Sequence, residues 1–96
     1  MFIHAVLFEI KSKEVVKYRR DSLMWAGFTK KARGFISYHT MKRYAYPGQY
    51  ISVYQWKEKA DHDRFMRKYH DWLVEKSQAK VKVLGYFNFK SIDSLK

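Results

Sequence analysis

The sequence predicts an α+β fold of the ferredoxin-like type, in which the chain runs β-α-β-β-α-β. Three observations predict it. Four segments have the residue alternation of strands, two segments between them carry apolar residues at helical spacing, and the only Pro–Gly turn separates the second strand from the third. With 96 residues the chain is long enough for a single domain, so we expect one domain over 1–96, with 90–96 as a C-terminal tail.

The first strand is apolar on both of its sides. One side carries Phe2, His4, Val6, Phe8 and Ile10. The other side carries Ile3, Ala5 and Leu7 before Glu9. Side chains alternate between the two faces of a strand, so this strand offers water little polar surface on either face.

A helix is expected from Glu14 to Lys31, with Ser12 as its N-cap and Gly34 as its stop. Its apolar positions, an untidy stripe at helical spacing, are Val16, Leu23, Met24, Gly27 and Phe28.

In the second half of the chain the sequence predicts a hairpin, a helix and a last strand. Strands over 35–43 and 50–56 flank the Pro47-Gly48 turn. The second helix starts near Asp61 or Asp63, and Tyr69-His70 marks a break between two shorter helical pieces. Its apolar residues at positions i, i+4 and i+7 are Phe65, Tyr69 and Trp72. The last strand covers 80–89, with Gly85 as a candidate bulge.

The apolar character of both sheet faces predicts a homodimer. Two helices can cover only one face of a four-stranded sheet, and a bare antiparallel face normally carries alternating polar residues. Here the uncovered face would be a large apolar patch, which pairing with a second copy would remove. A small ligand could share the space between copies.

Composition excludes several functional classes. The absence of cysteine excludes disulfides, thiolate zinc sites and a cysteine nucleophile. The N-terminus lacks the pattern of a signal peptide and no apolar run could span a bilayer, so we expect a cytoplasmic protein without membrane contact. The net charge of +11 attracts anions, but the basic residues are dispersed, which is typical of a solvated surface.

Nucleic-acid binding is disfavoured by the placement of the one suggestive motif. The segment 33–38, Arg-Gly-Phe-Ile-Ser-Tyr, is faintly similar to the RNP1 element of RNA-recognition domains. It leads into the second strand, whereas RNP1 belongs on the third, and the third strand here has no such element.

Three features carry a resemblance to a known family: Gly34-Phe35 opening the second strand, Trp56 closing the third, and His70 fourteen residues later. With these the chain resembles the antibiotic-biosynthesis-monooxygenase (ABM) family of dimeric α/β barrels over about residues 2–88. The chain departs from that pattern at Gln55, where the family prefers an acidic residue, and at Lys68-Tyr69, where it prefers Ser-Pro.

The resemblance implies a homodimer with a small pocket in each protomer. Some family members oxidise polycyclic aromatic molecules with oxygen and without metal or flavin, others degrade haem, and many have no known activity. We therefore expect a cofactor-independent monooxygenase acting on an aromatic or quinone-like molecule, or a non-catalytic ligand-binding or structural dimer. Haem degradation is disfavoured. The haem-degrading members have an Asn on the first strand and a Trp and a His on the second helix, whereas this chain has no Asn on its first strand and has Phe65 and Glu75 at the two helix positions.

Histidine and aromatic residues supply the candidate site. His70 is the candidate catalytic residue, because the ordinary pKa of histidine suits general base chemistry; the alternative is a histidine bonded to backbone or to the partner. The candidate substrate-binding residues, each of which has packing as its alternative, are Trp56, His39, His4, Tyr54 and Trp72. Further polar candidates are Ser52 and Asn88. No metal site is expected, because the His-Asp pairs at 62–63 and 70–71 are too sparse.

Overall fold

The fold is described by a computed structural model that covers residues 1–92. The four strands are β1 (Phe2–Glu9), β2 (Phe35–Lys42), β3 (Gln49–Trp56) and β4 (Lys82–Lys90). The helices are α1 (Val15–Thr29), preceded by a 3-10 turn at Ser12–Glu14, and α2 (Lys59–Lys76). Of the predicted tail, Lys90 belongs to β4 and the Ser91 N–H donates to the Met1 carbonyl, while 93–96 lie outside the described residues.

The strands form one antiparallel sheet in the order β2-β3-β1-β4, which confirms the predicted ferredoxin-like fold and its hairpin. Positive φ at Ala45 and Gly48 closes the hairpin turn. The predicted bulge is also present, because the register of β4 against β1 shifts between Gly85 and Val83 and leaves Leu84 without a partner residue.

Helix α2 is the helix that packs most deeply. It begins with a capping box in which the side chains of Glu58 and Asp61 each accept the other residue's backbone N–H. It buries Phe65 and Leu73 against Phe2 and Trp56 to form the core. The predicted break at Tyr69-His70 is wrong, because α2 continues without interruption to Lys76.

Helix α1 follows the predicted stripe only in part, because Met24 and Phe28 pack against the core but two other members of the stripe do not. Val16 and Leu23 are 81% and 70% exposed, so they lie on the outer face. Ser12 is not an N-cap; it begins the 3-10 turn, and the cap position of α1 is Glu14. The residues that face the sheet instead include Tyr18, Asp21 and Thr29, so a largely polar face of α1 points inward.

Two buried carboxylates of this region hold the segment that leads into β4. The Glu14 side chain accepts the backbone N–H of Lys80 at 2.7 Å. The Asp21 side chain accepts the N–H groups of Gln78 and Ala79 at 2.9 and 2.7 Å. These bonds satisfy backbone donors that α1 would otherwise bury without partners.

The sheet face opposite the helices is uncovered and apolar. It carries Ile3 and Leu7 of β1, and the cross-strand partner of Ile3 is Phe89. Phe87 and Phe89 of β4 are 43% and 57% exposed. The two-sided apolar character read from the sequence is therefore present in the fold.

Gly34 is the tightest backbone position of the fold and gives a first prediction. Its φ is +84°, and a Cβ there would lie 2.0 Å from the Asp61 carboxylate. We expect Gly34→Ala to lower the free energy of unfolding by more than about 2 kcal/mol in urea denaturation. Gly27→Ala is the control, because no atom lies within 4 Å of its Cβ and it sits inside α1. That change should be neutral or stabilising, and equal losses for the two variants would contradict the prediction.

Candidate functional site

A cavity of about 380 Å³ lies between the two helices and the sheet. It exists because α1 turns hydroxyl and carboxyl side chains toward the sheet, and these do not interdigitate with it as an apolar stripe would. Aromatic side chains form much of its wall, including Phe8, Trp25, Tyr54 and Trp56. Two clusters of hydrogen-bonding side chains reach the cavity wall.

The first cluster, the histidine cluster, consists of His4, His62, Trp56 and Asn88. His4 on β1 and His62 on α2 have ring centroids 4.7 Å apart. The Nδ1 of His4 lies 2.8 Å from the side-chain oxygen of Asn88, its partner residue on β4. The edge of Trp56 faces the His62 ring, with centroids 6.0 Å apart.

Two buried polar atoms of the histidine cluster lack a hydrogen-bond partner among the described residues: Nε1 of Trp56 and Nε2 of His62. Both side chains line the cavity, and Trp56 is only 1% exposed. Unpartnered buried polar groups are uncommon in native folds, because each loses its hydration without compensation. The Trp56 donor and a ring nitrogen of His62 are thus left unpaired in side chains that line the cavity.

Asp63 fixes the tautomer of His62 and thereby makes its free nitrogen a hydrogen-bond acceptor. Its carboxylate lies 3.1 Å from Nδ1 of His62, and a carboxylate can only accept, so Nδ1 carries the proton and Nε2 of the neutral ring is an acceptor. Burial lowers the pKa of His62 and keeps the ring neutral near pH 7. The hydrogen bond from Lys59, at 2.7 Å, lowers the pKa of Asp63 and keeps its carboxylate ionised. His62 therefore has the tautomer and charge of a general base.

The second cluster, the hydroxyl chain, consists of Ser22, Tyr38, Thr40, Ser52 and Tyr18. Tyr38 lies 2.6 Å from both Ser22 and Thr40. Thr40 continues to Ser52 at 3.3 Å, and Ser52 to Tyr18 at 2.8 Å. Antiparallel pairing creates this chain, because Thr40 is the partner of Ser52 across β2 and β3.

The cavity tyrosines differ in acidity. Burial raises the pKa of Tyr18 and of Tyr54 well above the ordinary value for tyrosine. Burial acts in the same direction on Tyr38, but hydrogen bonds from the hydroxyl chain outweigh it, so the pKa of Tyr38 is lowered. Of these three, Tyr38 thus loses its proton most readily.

The structure gathers four of the predicted site residues at the cavity and separates two from it. His4, Trp56, Tyr54 and His70 line the cavity. His39 is the cross-strand partner of Val53 on the uncovered face, and β3 separates its strand from that of His4. Trp72 is 44% exposed and packs on Phe28 of α1, away from the cavity lining.

His62 is a cavity residue that was not predicted from the sequence as part of the site. His62 lies three and seven residues before Phe65 and Tyr69, so the helical period of α2 places it on the same inward face. That signal was present in the sequence. Tyr38 gave no comparable signal, because its role depends on hydroxyl groups contributed by α1 and β3. Ser52 and Asn88, the two further polar candidates, each join a cluster.

Two classes of feature are absent from residues 1–92. No three His, Cys, Asp or Glu side chains there come together in a way that could hold a metal ion. Neither helix in this range combines the length and apolar character that crossing a membrane requires.

Solved structures with the same fold match almost the whole chain. SnoaB, a cofactor-independent oxygenase from Streptomyces nogalater, superposes with a TM-score of 0.75 at 11% identity, covering 98% of this chain and 95% of that one. A protein described as an antibiotic biosynthesis monooxygenase gives 0.71 at 13% identity, covering 96% and 99%. A mutant of MhuD with two manganese protoporphyrin IX molecules bound per active site gives 0.74 at 11% identity, covering 96% and 95%.

The similarity is one of fold and not of sequence. No family model and no curated protein matches the chain. The likeness nevertheless confirms the fold that the resemblance implied, since the chain shares it with SnoaB and with a protein described as an antibiotic biosynthesis monooxygenase. At these identities it leaves activity and ligand to be argued from the cavity itself.

The lowered pKa of His62 predicts how stability depends on pH. The pKa of His62 is lower in the folded state than in the unfolded chain, where it is about 6.5. Its contribution to stability is therefore fully present above about pH 6.5 and is lost as the pH falls through the folded-state pKa. We expect the wild type to lose stability from about pH 7 toward pH 5, and His62→Gln to lose less. Chemical denaturation at each pH measures this. His70→Gln, in the same helix but half exposed, should keep the wild-type slope; an equal slope for His62→Gln would contradict the assignment.

Proposed function

We propose that the protein is a cofactor-independent monooxygenase that oxidises a phenolic or quinone-like aromatic molecule and works as a homodimer. The observation that carries the proposal is the pair of unpartnered buried atoms, Nε1 of Trp56 and Nε2 of His62, at an aromatic-lined cavity. One is a donor and the other an acceptor, the combination that a phenolic hydroxyl group requires.

The size and lining of the cavity suit a fused-ring aromatic ligand. Its volume of about 380 Å³ falls within the usual range for small-molecule sites. Rings of Phe8, Trp25 and Tyr54 offer apolar faces, on which aromatic molecules pack with offset or edge-to-face geometry. SnoaB, which shares the fold, is itself a cofactor-independent oxygenase, and this supports the same reaction class here.

The reaction would begin with removal of a proton. Nε2 of His62 takes the hydroxyl proton of the bound phenol, or of the enol form of an anthrone, while Trp56 donates a hydrogen bond to the oxygen that becomes negative. The electron-rich anion then transfers one electron to O2, and the two radicals combine to form a carbon–oxygen bond. Loss of water from the resulting hydroperoxide leaves a carbonyl group. One oxygen atom enters the product and the other leaves as water, with the proton returned by His62.

His70 is the second candidate for the base. It lines the same cavity, but its side chain is 45% exposed and its Nδ1 lies 3.1 Å from Asp71, a fully exposed residue. His62 is the better candidate, because its free nitrogen is buried and its orienting carboxylate is held by Lys59. Variants of the two residues separate these roles.

The uncovered sheet face supports the dimer. Phe87 and Phe89 would leave a contiguous apolar surface in a monomer, of a size that soluble monomers rarely expose. A two-fold axis through this face would bring the same residues of two copies together. In this arrangement the cavities lie on the outer sides of the paired sheets, each inside its own protomer.

Turnover of 9-anthrone under oxygen tests the activity. We expect conversion to anthraquinone without added metal or flavin, and a loss of roughly 100-fold in kcat/KM for His62→Gln, because positioned general bases contribute about 10²–10⁴-fold. His39→Gln is the matched control on the opposite sheet face and should keep full activity. A larger loss for His70→Gln than for His62→Gln would move the base to His70. Binding of anthrone without turnover would identify a non-catalytic ligand-binding dimer instead.

Light scattering tests the dimer. We expect the wild type to be dimeric at micromolar concentration, and Phe87→Lys to shift the mass toward the monomer, because it places a charge in the apolar face. Val16→Lys is the control, since Val16 is an exposed apolar residue on the outer face of α1. A monomeric wild type would contradict the dimer, whatever the activity.

A further inference from the structure

We propose that Tyr38 is a second proton-transfer residue of the cavity, and that the hydroxyl chain is built to hold it as a tyrosinate. Tyr38 would exchange a proton with the hydroxyl group of a bound phenol. The identity of the ligand rests on the proposed function, but the ionisation of Tyr38 does not. The argument comes from the order of the hydrogen bonds, the groups around Tyr38 and the connection of the chain to water.

Counting hydrogens shows what the hydroxyl chain favours. Its five hydroxyl groups are joined by four hydrogen bonds, and Tyr38 takes part in two of them. With Tyr38 neutral, five hydrogens serve four bonds, and one hydrogen has no acceptor within the chain. With Tyr38 ionised, four hydrogens serve four bonds and all point toward its oxygen: Ser22 and Thr40 donate directly, Ser52 donates to Thr40, and Tyr18 donates to Ser52. An ionised Tyr38 is therefore compatible with all four bonds, and its oxygen then accepts from both of its neighbours.

The groups that face Tyr38 favour its ionisation over that of its neighbours. Ser22 comes from α1 and Thr40 from β2, each 2.6 Å from the Tyr38 oxygen. From β3, the ring of Tyr54 stacks on Tyr38 at 4.6 Å, and burial raises the pKa of Tyr54. Hydrogen bonds to an ionised oxygen are about twice as strong as those between neutral groups, so the two short bonds stabilise the anion more than the neutral phenol.

Charged groups do not account for the lowered pKa of Tyr38. Asp21 is the nearest acidic residue of α1 in the cavity wall, and one of its carboxylate oxygens accepts the backbone N–H groups of Gln78 and Ala79. Tyr18, the other titratable group that α1 turns toward Tyr38, keeps its proton because burial raises its pKa. The lowered pKa of Tyr38 follows from hydrogen bonds of neutral hydroxyl groups.

The hydroxyl chain also connects the cavity with water. Thr40 lies on the edge strand β2 and is exposed, whereas Ser52, the next hydroxyl group of the chain, is buried. A proton taken by Tyr38 from the O–H bond of a ligand forms a new O–H bond on Tyr38. Passage to Thr40, with each hydroxyl group accepting one proton and releasing another, returns it to solvent. No oxidant or co-reactant enters this step.

The hydroxyl chain is separate from the histidine cluster. The cross-strand register places Tyr54 opposite both His4 and Tyr38, so one tyrosine residue lies between the two clusters. A ligand that reaches both therefore carries oxygen groups on two sides of its ring system. This points to a hydroxylated fused-ring aromatic as the substrate class.

NMR of protein labelled with ¹³C at the tyrosine Cζ tests the inference without a substrate. We expect the Tyr38 resonance, identified as the one missing in Tyr38→Phe, to titrate below the ordinary tyrosine value of about 10. Replacing both donors, as Ser22→Ala with Thr40→Val, should raise the Tyr38 midpoint by about one pH unit or more. Titration of Tyr38 at or above the ordinary value would overturn the proposal.

A second measurement separates this inference from the proposed function. With 1,8-dihydroxy-9-anthrone as probe, which carries hydroxyl groups besides the reacting oxygen, Tyr38→Phe should lower kcat/KM by roughly 100-fold. The donor variant should shift the rising, acidic limb of the pH–rate profile to higher pH together with its Tyr38 midpoint. Tyr44→Phe should match the wild type. If Tyr38→Phe turned over the probe with an unchanged pH–rate profile, Tyr38 would have no proton-transfer role, but the oxygenase activity would still be supported. Titration of Tyr38 at lower pH than an ordinary tyrosine, without any turnover of the probe, would support the tyrosinate site and contradict the oxygenase activity.

Discussion

The cavity depends on how helix α1 is fixed at its N-terminal half. Glu14 and Asp21 are buried carboxylates, and they receive three consecutive backbone N–H groups from 78–80. Charge-assisted bonds of this kind are stronger than neutral ones, and leaving buried donors unpaired is costly. The helix is thereby tied at this end to the loop before β4, while Met24, Trp25 and Phe28 pack against the core further along. Tyr18 and Asp21 line the cavity that remains between the helix and the sheet.

That arrangement explains which parts of the fold were predictable. Strands are read from a period of two, and the alternation of Phe2, His4 and Val6 identified β1 together with its two faces. The inward face of helix α1 was predicted only in part. Met24 and Phe28 do pack against the core. Val16 and Leu23 look like core residues and lie outside, whereas Tyr18 and Asp21 lie inward. An inward face that is polar can be understood only together with its partners on other elements, which one sequence does not reveal.

The site was half predictable for a related reason. His4, Trp56 and Tyr54 lie on strands, where alternation fixes the side-chain direction, and they do reach the cavity. Their function remains a proposal. His39 also lies on a strand, but its face follows from the pairing of β2 with β3, and the bulge near Ile36 in that pairing was not apparent from the pattern. The acidity of Tyr38 depends on hydrogen bonds from residues that are distant in sequence, and a single sequence does not reveal these partners.

The bulge at Leu84 has a consequence for how this protein can change over evolutionary time. Side chains of β1 alternate between the cavity and the uncovered face, so sliding its pairing by one residue would move His4 to one side and Ile3 to the other. The unpaired Leu84 absorbs one residue in β4 and sets this alignment along the edge of the sheet. Point substitutions can therefore alter the ligand site or the apolar face independently. A one-residue insertion or deletion in β1 would exchange the two surfaces in a single step, so we expect lineages of this fold to tolerate length changes in the loops rather than there.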